Sequence, residues 1–367
     1  MYSSIRIVAV FCCLAGDIPR VISDTASDLA TALAQYPSLS TLRQLVNQQP
    51  TVISTLFGNN RNFTVLAPSN EAFTEYTAKN HQQLANVGTE LLSNTLSYHI
   101  LAGGLPYSRF DNPRGLTVPT LLTGELYNNR SVGVSLAASF GPGANGQVVL
   151  IQKNSDGYVQ VQASLLRVNL TGLDKQWSGG YIQMVDKIFD LPKNCSETME
   201  DTEGLGTLYD ALEDSGAYGP IDTMANVTCL GPNDGAFEEA GNPQKGFNTS
   251  ETNWMVRSHV IREPLYPDQI QNGMVLQTLR NTTINVTVSD DHIFFNNARV
   301  QTTALTNNGV IYVLDKILAR DPAPAQSPDP TPSASPSPSP TNNAADKPST
   351  SKHFSLALIL GGIFALL

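Results

Sequence analysis

Leu39, Leu42, Leu45 and Val46, with polar residues between them, fall on one face of a helix and predict an amphipathic segment over 38–46. Phe63 to Leu66 then reads as a short β-prone run, and Pro68 ends it because proline has no N–H to give to a ladder. Ser69 or Asn70 suits a helix N-cap, with Glu71 in the first turn where the helix dipole favours a carboxylate, and Ala72 and Phe73 are expected to face the core. The same order returns further on. Gly206-Thr207-Leu208-Tyr209-Asp210-Ala211-Leu212 opens like the first helix, and Thr228 to Phe237 echoes Thr64 to Phe73. Gly180 to Phe189 is likewise echoed by Gly309 to Leu318, where Ile311, Val313 and Ile317 nearly alternate with polar neighbours, as in a half-buried strand. Two segments repeated in the same order mean two copies of one domain. Helices early and strands late in each copy predict an α+β class.

The repeated segments resemble the fasciclin (FAS1) domain. Its H1 box has the form Thr-Val-x-Ala-Pro-x-Asn-x-Ala-Phe, matched at 64–73 and 228–237. Its H2 box is matched at 179–189 and 308–318, and between the boxes stand Tyr98-His99 and Ser258-His259. The resemblance covers 36–192 and 203–320 and implies two tandem twisted β-wedges, each packed with several helices. It assigns Pro68, Asn70, Phe73 and Asp186 in the first copy, and Pro232, Asn233, Phe237 and Asp315 in the second, to the structural motif. Asp186 and Asp315 are expected to be buried and to accept backbone N–H bonds rather than to act as catalytic acids. Tyr98, His99 and His259 are the candidate partner-binding residues, since in animal relatives the Tyr-His region is implicated in integrin binding. Here Ser258 replaces the second Tyr, Gln183 and Tyr312 stand where H2 often has His, and no Arg-Gly-Asp occurs. Integrin binding is therefore not carried over.

The copies differ in length. His99 and Asp186 are 87 positions apart, His259 and Asp315 only 56. The first copy thus carries an insertion, expected as loops around Gly141 to Gly146, and loops on a rigid scaffold are where binding concentrates. Gly141-Pro142-Gly143-Ala144-Asn145-Gly146 matches a dinucleotide fingerprint literally, but β-prone Val132 to Leu136 precedes it and another strand, Gln147 to Ile151, follows where the mechanism needs a helix.

Charge and composition narrow the function further. A net charge of −10 gives nucleic-acid binding no electrostatic support. The acidic stretch from Glu197 to Asp214 lacks the spacing of a calcium loop and reads as a solvated linker. His81, His99, His259, His292 and His353 have no metal-site spacing, and no nucleophile elbow occurs, so neither metal, cofactor nor catalytic residue is expected.

The ends point to the cell surface. Residues 1–16 resemble a secretory signal peptide. The Pro/Ser/Thr-rich stretch 321–345 is expected to be a disordered, sugar-bearing stalk. Residues 346–367 fit a lipid-anchor signal removed on attachment at Asn343 or its neighbour Asn342. Asn62, Asn129, Asn169, Asn194, Asn226, Asn248, Asn281 and Asn285 are N-glycosylation sequons. With Cys12 and Cys13 removed in the signal peptide, Cys195 and Cys229 remain and are expected to form a bridge, the alternative being two buried thiols. The expected function is non-enzymatic: a surface-anchored adhesion or wall-interaction protein meeting other surface or matrix proteins, or wall polysaccharide, weakly and in many copies. A wall-acting hydrolase with an unrecognised carboxylate site, or a factor tethered in the vacuolar or secretory system, are the alternatives.

Overall fold

The computed structural model describes residues 25–57, 62–110, 112, 114–124, 127, 133–141, 144–290 and 292–318. The expected signal peptide, stalk and anchor signal, with Asn129 and Asn343, lie outside them. The first domain begins with helices α1 (Thr25–Leu33), α2 (Ser40–Gln48) and α3 (Pro50–Phe57). Strand β1 (Phe63–Pro68), helices α4 (Asn70–Asn80) and α5 (Thr89–Tyr98), and the short β2 (Ile100–Leu101) follow. Then come β3 (Leu116–Pro119), α6 (Val134–Phe140), β4 (Val148–Lys153), β5 (Val159–Ala163), β6 (Leu166–Trp177) and β7 (Gly180–Val185). The second domain repeats the plan with α7 (Cys195–Glu200), α8 (Gly206–Ser215), α9 (Tyr218–Asp222), β8 (Val227–Pro232), α10 (Asp234–Glu239), α11 (Thr249–Ser258) and β9 (Val260–Ile261). It ends with β10 (Val275–Gln277), β11 (Thr283–Ser289), β12 (His292–Phe295), β13 (Ala298–Thr306) and β14 (Gly309–Leu314).

Each domain forms one 7-stranded sheet, in the orders β2-β1-β7-β6-β5-β4-β3 and β10-β11-β12-β13-β14-β8-β9. An isolated bridge, Leu101 to Thr120 in one and Ile261 to Thr278 in the other, brings the two ends of the sheet together into a barrel-like wedge. The H1 and H2 boxes are its central parallel pair, β1 on β7 and β8 on β14. Both faces of that pair are covered. Val65, Ala67 and Ile182 pack under the helices, while Leu66 and Val185 line the wedge interior. All six residues of β14 are buried, so the half-buried strand expected there is instead a fully buried one, as parallel strands covered on both sides are. Ile317 lies beyond its end.

Close approach of the pair demands glycine at its entrance. A Cβ on Gly180 would stand 2.0 Å from the Phe63 carbonyl oxygen, and one on Gly309 would stand 1.8 Å from that of Val227.

Two expectations are corrected here. The acidic stretch is no linker: α7 and α8 run through it, and Thr198, Met199, Leu205, Leu208 and Leu212 are buried while the carboxylates between them face outward. The insertion is the connection from β3 to β4, residues 120–147, where the second domain has only 278–282. It carries helix α6 over part of the run expected to be β-prone. Leu136 of α6 and Val148 and Leu150 of β4 share a core with Leu265, Tyr266 and Ile270 of the second domain. Val149 and Ile151, on the other face of β4, belong to the interior of the first.

Buried polar groups complete this joint. The Gln162 amide donates to the Thr303 carbonyl at 2.6 Å, and Gln147 donates to that of Asn307 at 2.6 Å. The Thr117 N–H and hydroxyl both donate to the Asp268 carboxylate.

Candidate functional site

The patterned residues of both domains converge on the central pair. His99 sits at the end of α5 and is 3 % exposed; its counterpart His259 follows α11 and is 5 % exposed. Nδ1 of His99 meets the Thr95 carbonyl at 2.8 Å, and Nε2 accepts from the Phe189 N–H at 3.2 Å. His259 repeats this with the Met255 carbonyl at 2.8 Å and the Leu318 N–H at 3.1 Å. A ring that donates from Nδ1 and accepts at Nε2 is neutral. Burial pushes both imidazoles down to about 4. His99 also stacks on Phe189 at 4.0 Å between centroids. Each ring thus ties the end of a helix to the chain leaving the H2 strand.

Tyr98 is fully buried, its hydroxyl donating to the Val148 carbonyl at 3.2 Å, and burial pushes the phenol upward. The three residues expected to meet a partner are therefore inside the molecule, with their polar atoms engaged by backbone.

Asp186 and Asp315 clamp the strand beside H2. Asp186 accepts from the Asn169 N–H at 2.8 Å and its side-chain amide at 2.6 Å; Asp315 accepts from the Arg299 N–H at 2.7 Å. The expected backbone acceptance is present, but both residues are half-buried rather than buried, because they sit just past the strand end.

Pro68 and Pro232 close their strands, and the next residue donates across the pair: Ser69 N–H to the Val185 carbonyl at 3.0 Å, Asn233 N–H to that of Leu314 at 2.8 Å. Ser69 and Asn233 are the N-caps, accepting from Ala72 and Ala236 N–H. Phe73 and Phe237 are buried. Asn233 is thus the counterpart of Ser69, not of Asn70. Asn70 serves the first turn of α2 by accepting from the Thr41 N–H at 2.9 Å, and Asp234 does the same for α8 through the Thr207 N–H at 2.8 Å. Asp234 was hidden because an Asn stands one position earlier.

Thr64 and Thr228 were also missed, although both open the repeated box. Each is fully buried. Thr64 donates to the Gly103 carbonyl at 2.7 Å and accepts from the Leu105 N–H at 2.7 Å; Thr228 donates to that of Glu263 at 2.7 Å and accepts from the Leu265 N–H at 2.9 Å.

Cys195 and Cys229 are free, buried thiols with sulfur atoms 3.0 Å apart. Hydrogen bonding to Cys229 and burial push the Cys195 thiol up. Of the described sequons, Asn62, Asn169, Asn248, Asn281 and Asn285 are exposed, and Asn194 and Asn226 half-buried. Asn194 and Asn248 cap helices through Oδ1, and for Asn248 that role is compatible with a sugar on Nδ2. Asn169 and Asn194 also use Nδ2, on Asp186 and Glu197. Among the described residues no group of three or more His, Cys, Asp or Glu gathers as a metal site would require. No helix among them is long and apolar enough to cross a membrane.

This is the architecture of a tandem module, two copies of one α+β wedge in series. The fasciclin domain model matches residues 37–192 and 203–320, and the chain belongs to the fasciclin family. It is 26% identical over 270 residues to the transforming growth factor-beta-induced protein ig-h3 of Sus scrofa, covering 71% of this chain and 35% of that protein. The chain thus spans about a third of the length of that animal relative. It is 23% identical over 303 residues to the fasciclin-like arabinogalactan protein elcF of Phaeosphaeria nodorum, covering 81% of this chain and 90% of that one. Among solved structures it is similar to a FAS1 domain pair from the insect cell adhesion molecule fasciclin I, at 16% identity and a TM-score of 0.35, over 78% of this chain and 98% of that one.

Proposed function

We propose that this chain is a non-enzymatic surface protein that presents its fasciclin pair to other surface or matrix proteins, or to wall polysaccharide. The carrying observation is the duplicated family module, whose most patterned side chains (Tyr98, His99, Asp186, His259 and Asp315) are bonded internally to hold strands and helices together. Scaffold that consumes its own polar groups favours presentation over turnover. The fasciclin-like name of the Phaeosphaeria nodorum relative supports the same reading. Individual contacts are weak, and display of many copies on one membrane supplies the avidity. We extend the proposal to secretion, N-glycosylation, a Pro/Ser/Thr stalk and a lipid anchor at Asn343, on the strength of the sequence patterns.

The test is attachment. Beads coated with the purified protein are expected to bind cell walls or matrix, and phospholipase treatment is expected to release the protein from intact cells. Bare behaviour of coated beads, together with normal adhesion and wall integrity in a deletion strain, overturns the reading.

A further inference from the structure

Beside the closing bridge of the first domain lies an open cleft of about 920 Å³, between α3, α5 and the insertion. We propose that it is a binding site for a neutral oligosaccharide. This deepens the surface-interaction reading above and rests on it.

The lining carries the argument. Asn62, Ser93, Asn94, Ser97, Thr123 and Asn145 supply amides and hydroxyls, and among the described residues none that lines the cleft is charged. Ser97 already donates to the Ser93 carbonyl, while the side chains of Asn62, Ser93, Asn94, Thr123 and Asn145 make no hydrogen bond among the described residues. Amides offer a donor and an acceptor at fixed separation, which suits adjacent sugar hydroxyls that each donate and accept. Half-buried Phe140 and Leu121 add an apolar floor for the C–H face of a pyranose ring. A concave surface with convergent polar groups that fix a ligand's orientation is a feature that small-ligand sites share. The chain's net charge of −10 weighs against acidic sugars.

The second domain provides an internal comparison. Thr64 pairs with Leu101 as Thr228 pairs with Ile261, so Ala102 and Gly103 correspond to Arg262 and Glu263, and Ser97 to Arg257. Those three side chains are exposed, and Arg280 lies over Trp254 at 5.5 Å. The corresponding face there is charged, and it lacks the insertion that brings Phe140 and Asn145. The neutral cleft belongs to the first copy alone.

Asn62 is itself a sequon at the rim, so a sugar in the cleft has two sources, the protein's own glycan or a free polysaccharide. Isothermal titration of the purified protein with laminarihexaose and mannohexaose, and with an oligogalacturonate as charged control, tests the site. At least one neutral hexaose is expected to bind and the acidic one not. Asn94→Ala with Asn145→Ala is expected to weaken binding at least about tenfold, the loss of one or two hydrogen bonds, with melting unchanged. Ala102→Arg, which installs the second domain's residue, is expected to abolish binding.

Trimming the N-glycans with an endoglycosidase, which leaves Asn62 in place, separates the sources. Tighter hexaose binding after trimming identifies the protein's own glycan as the occupant, and unchanged affinity identifies a free polysaccharide. If neither the intact nor the trimmed protein binds a neutral hexaose, or if the cleft variants bind as wild type does, the proposal is overturned. Coated beads that still attach in that case leave the surface role standing and remove only this cleft; hexaose binding without attachment does the reverse.

Discussion

Each matched histidine donates from Nδ1 to a carbonyl one turn back and accepts at Nε2 from the chain that leaves H2, a pattern closed to the protonated ring. The folded rings titrate at about 4, whereas an unfolded histidine titrates near about 6.5. Between those values the unfolded chain binds protons that the folded one does not, so the stabilisation is complete above the upper value and is lost as pH falls toward the lower. The unfolding free energy from urea titrations is expected to drop by about 1.4 kcal/mol per pH unit for each histidine as pH falls from about 6.5 toward 4. His99→Gln is expected to halve that slope while costing about 1–3 kcal/mol at neutral pH. The glycine at the strand entrance is equally exacting. Gly309→Ala would push a methyl to 1.8 Å from the Val227 carbonyl, and a loss of at least about 3 kcal/mol is expected in denaturant titration. The sequence revealed that these positions matter, because repetition marks them. It did not reveal their partners, since the carbonyls and N–H groups they meet are set by backbone path and not by side-chain identity.

Among the elements, α2 and β1 were legible because local pattern and tertiary environment agree. The helix over 134–140 was not: its Val-Gly-Val start reads as strand, and the surface it covers belongs to another domain. The acidic helices α7 and α8 misled for a similar reason, their exposed carboxylates being interleaved with the buried residues that fix them. Strand β4 is the informative case. Its continuous apolar run is buried on two sides, one inside its own wedge and one against the second domain. Gln162→Ala is expected to remove the donor to Thr303 and cost about 1–3 kcal/mol by denaturant titration. At α7, the sulfur atoms are close enough that a bridge between Cys195 and Cys229 needs little backbone movement. Non-reducing peptide mapping of the secreted protein is expected to find the two joined, and reduction to cost about 3–4 kcal/mol. The raised Cys195 thiol disfavours the thiolate, so oxidation is expected during folding and to be slow once folding is complete.

For the molecule as a whole, a shared core and buried interdomain hydrogen bonds predict that the two wedges unfold together. Calorimetry is expected to show one transition in the wild type and two when Gln162→Ala is combined with Thr117→Val. Thr64 and Thr228 carry one further consequence, for biosynthesis. Each is the hydroxyl residue of a sequon, Asn62-Phe63-Thr64 and Asn226-Val227-Thr228, and each hydroxyl ends fully buried, bridging two backbone groups. An oligosaccharide-transferring enzyme can read that hydroxyl only on a chain whose central strand has not yet formed. Thr283 and Thr287, which serve Asn281 and Asn285, stay exposed on β11. The window for sugar attachment at Asn62 and Asn226 therefore shuts as the strand docks. Glycopeptide mass spectrometry is expected to show occupancy at those two sites rising when folding is slowed, with Asn281 and Asn285 indifferent to the pace.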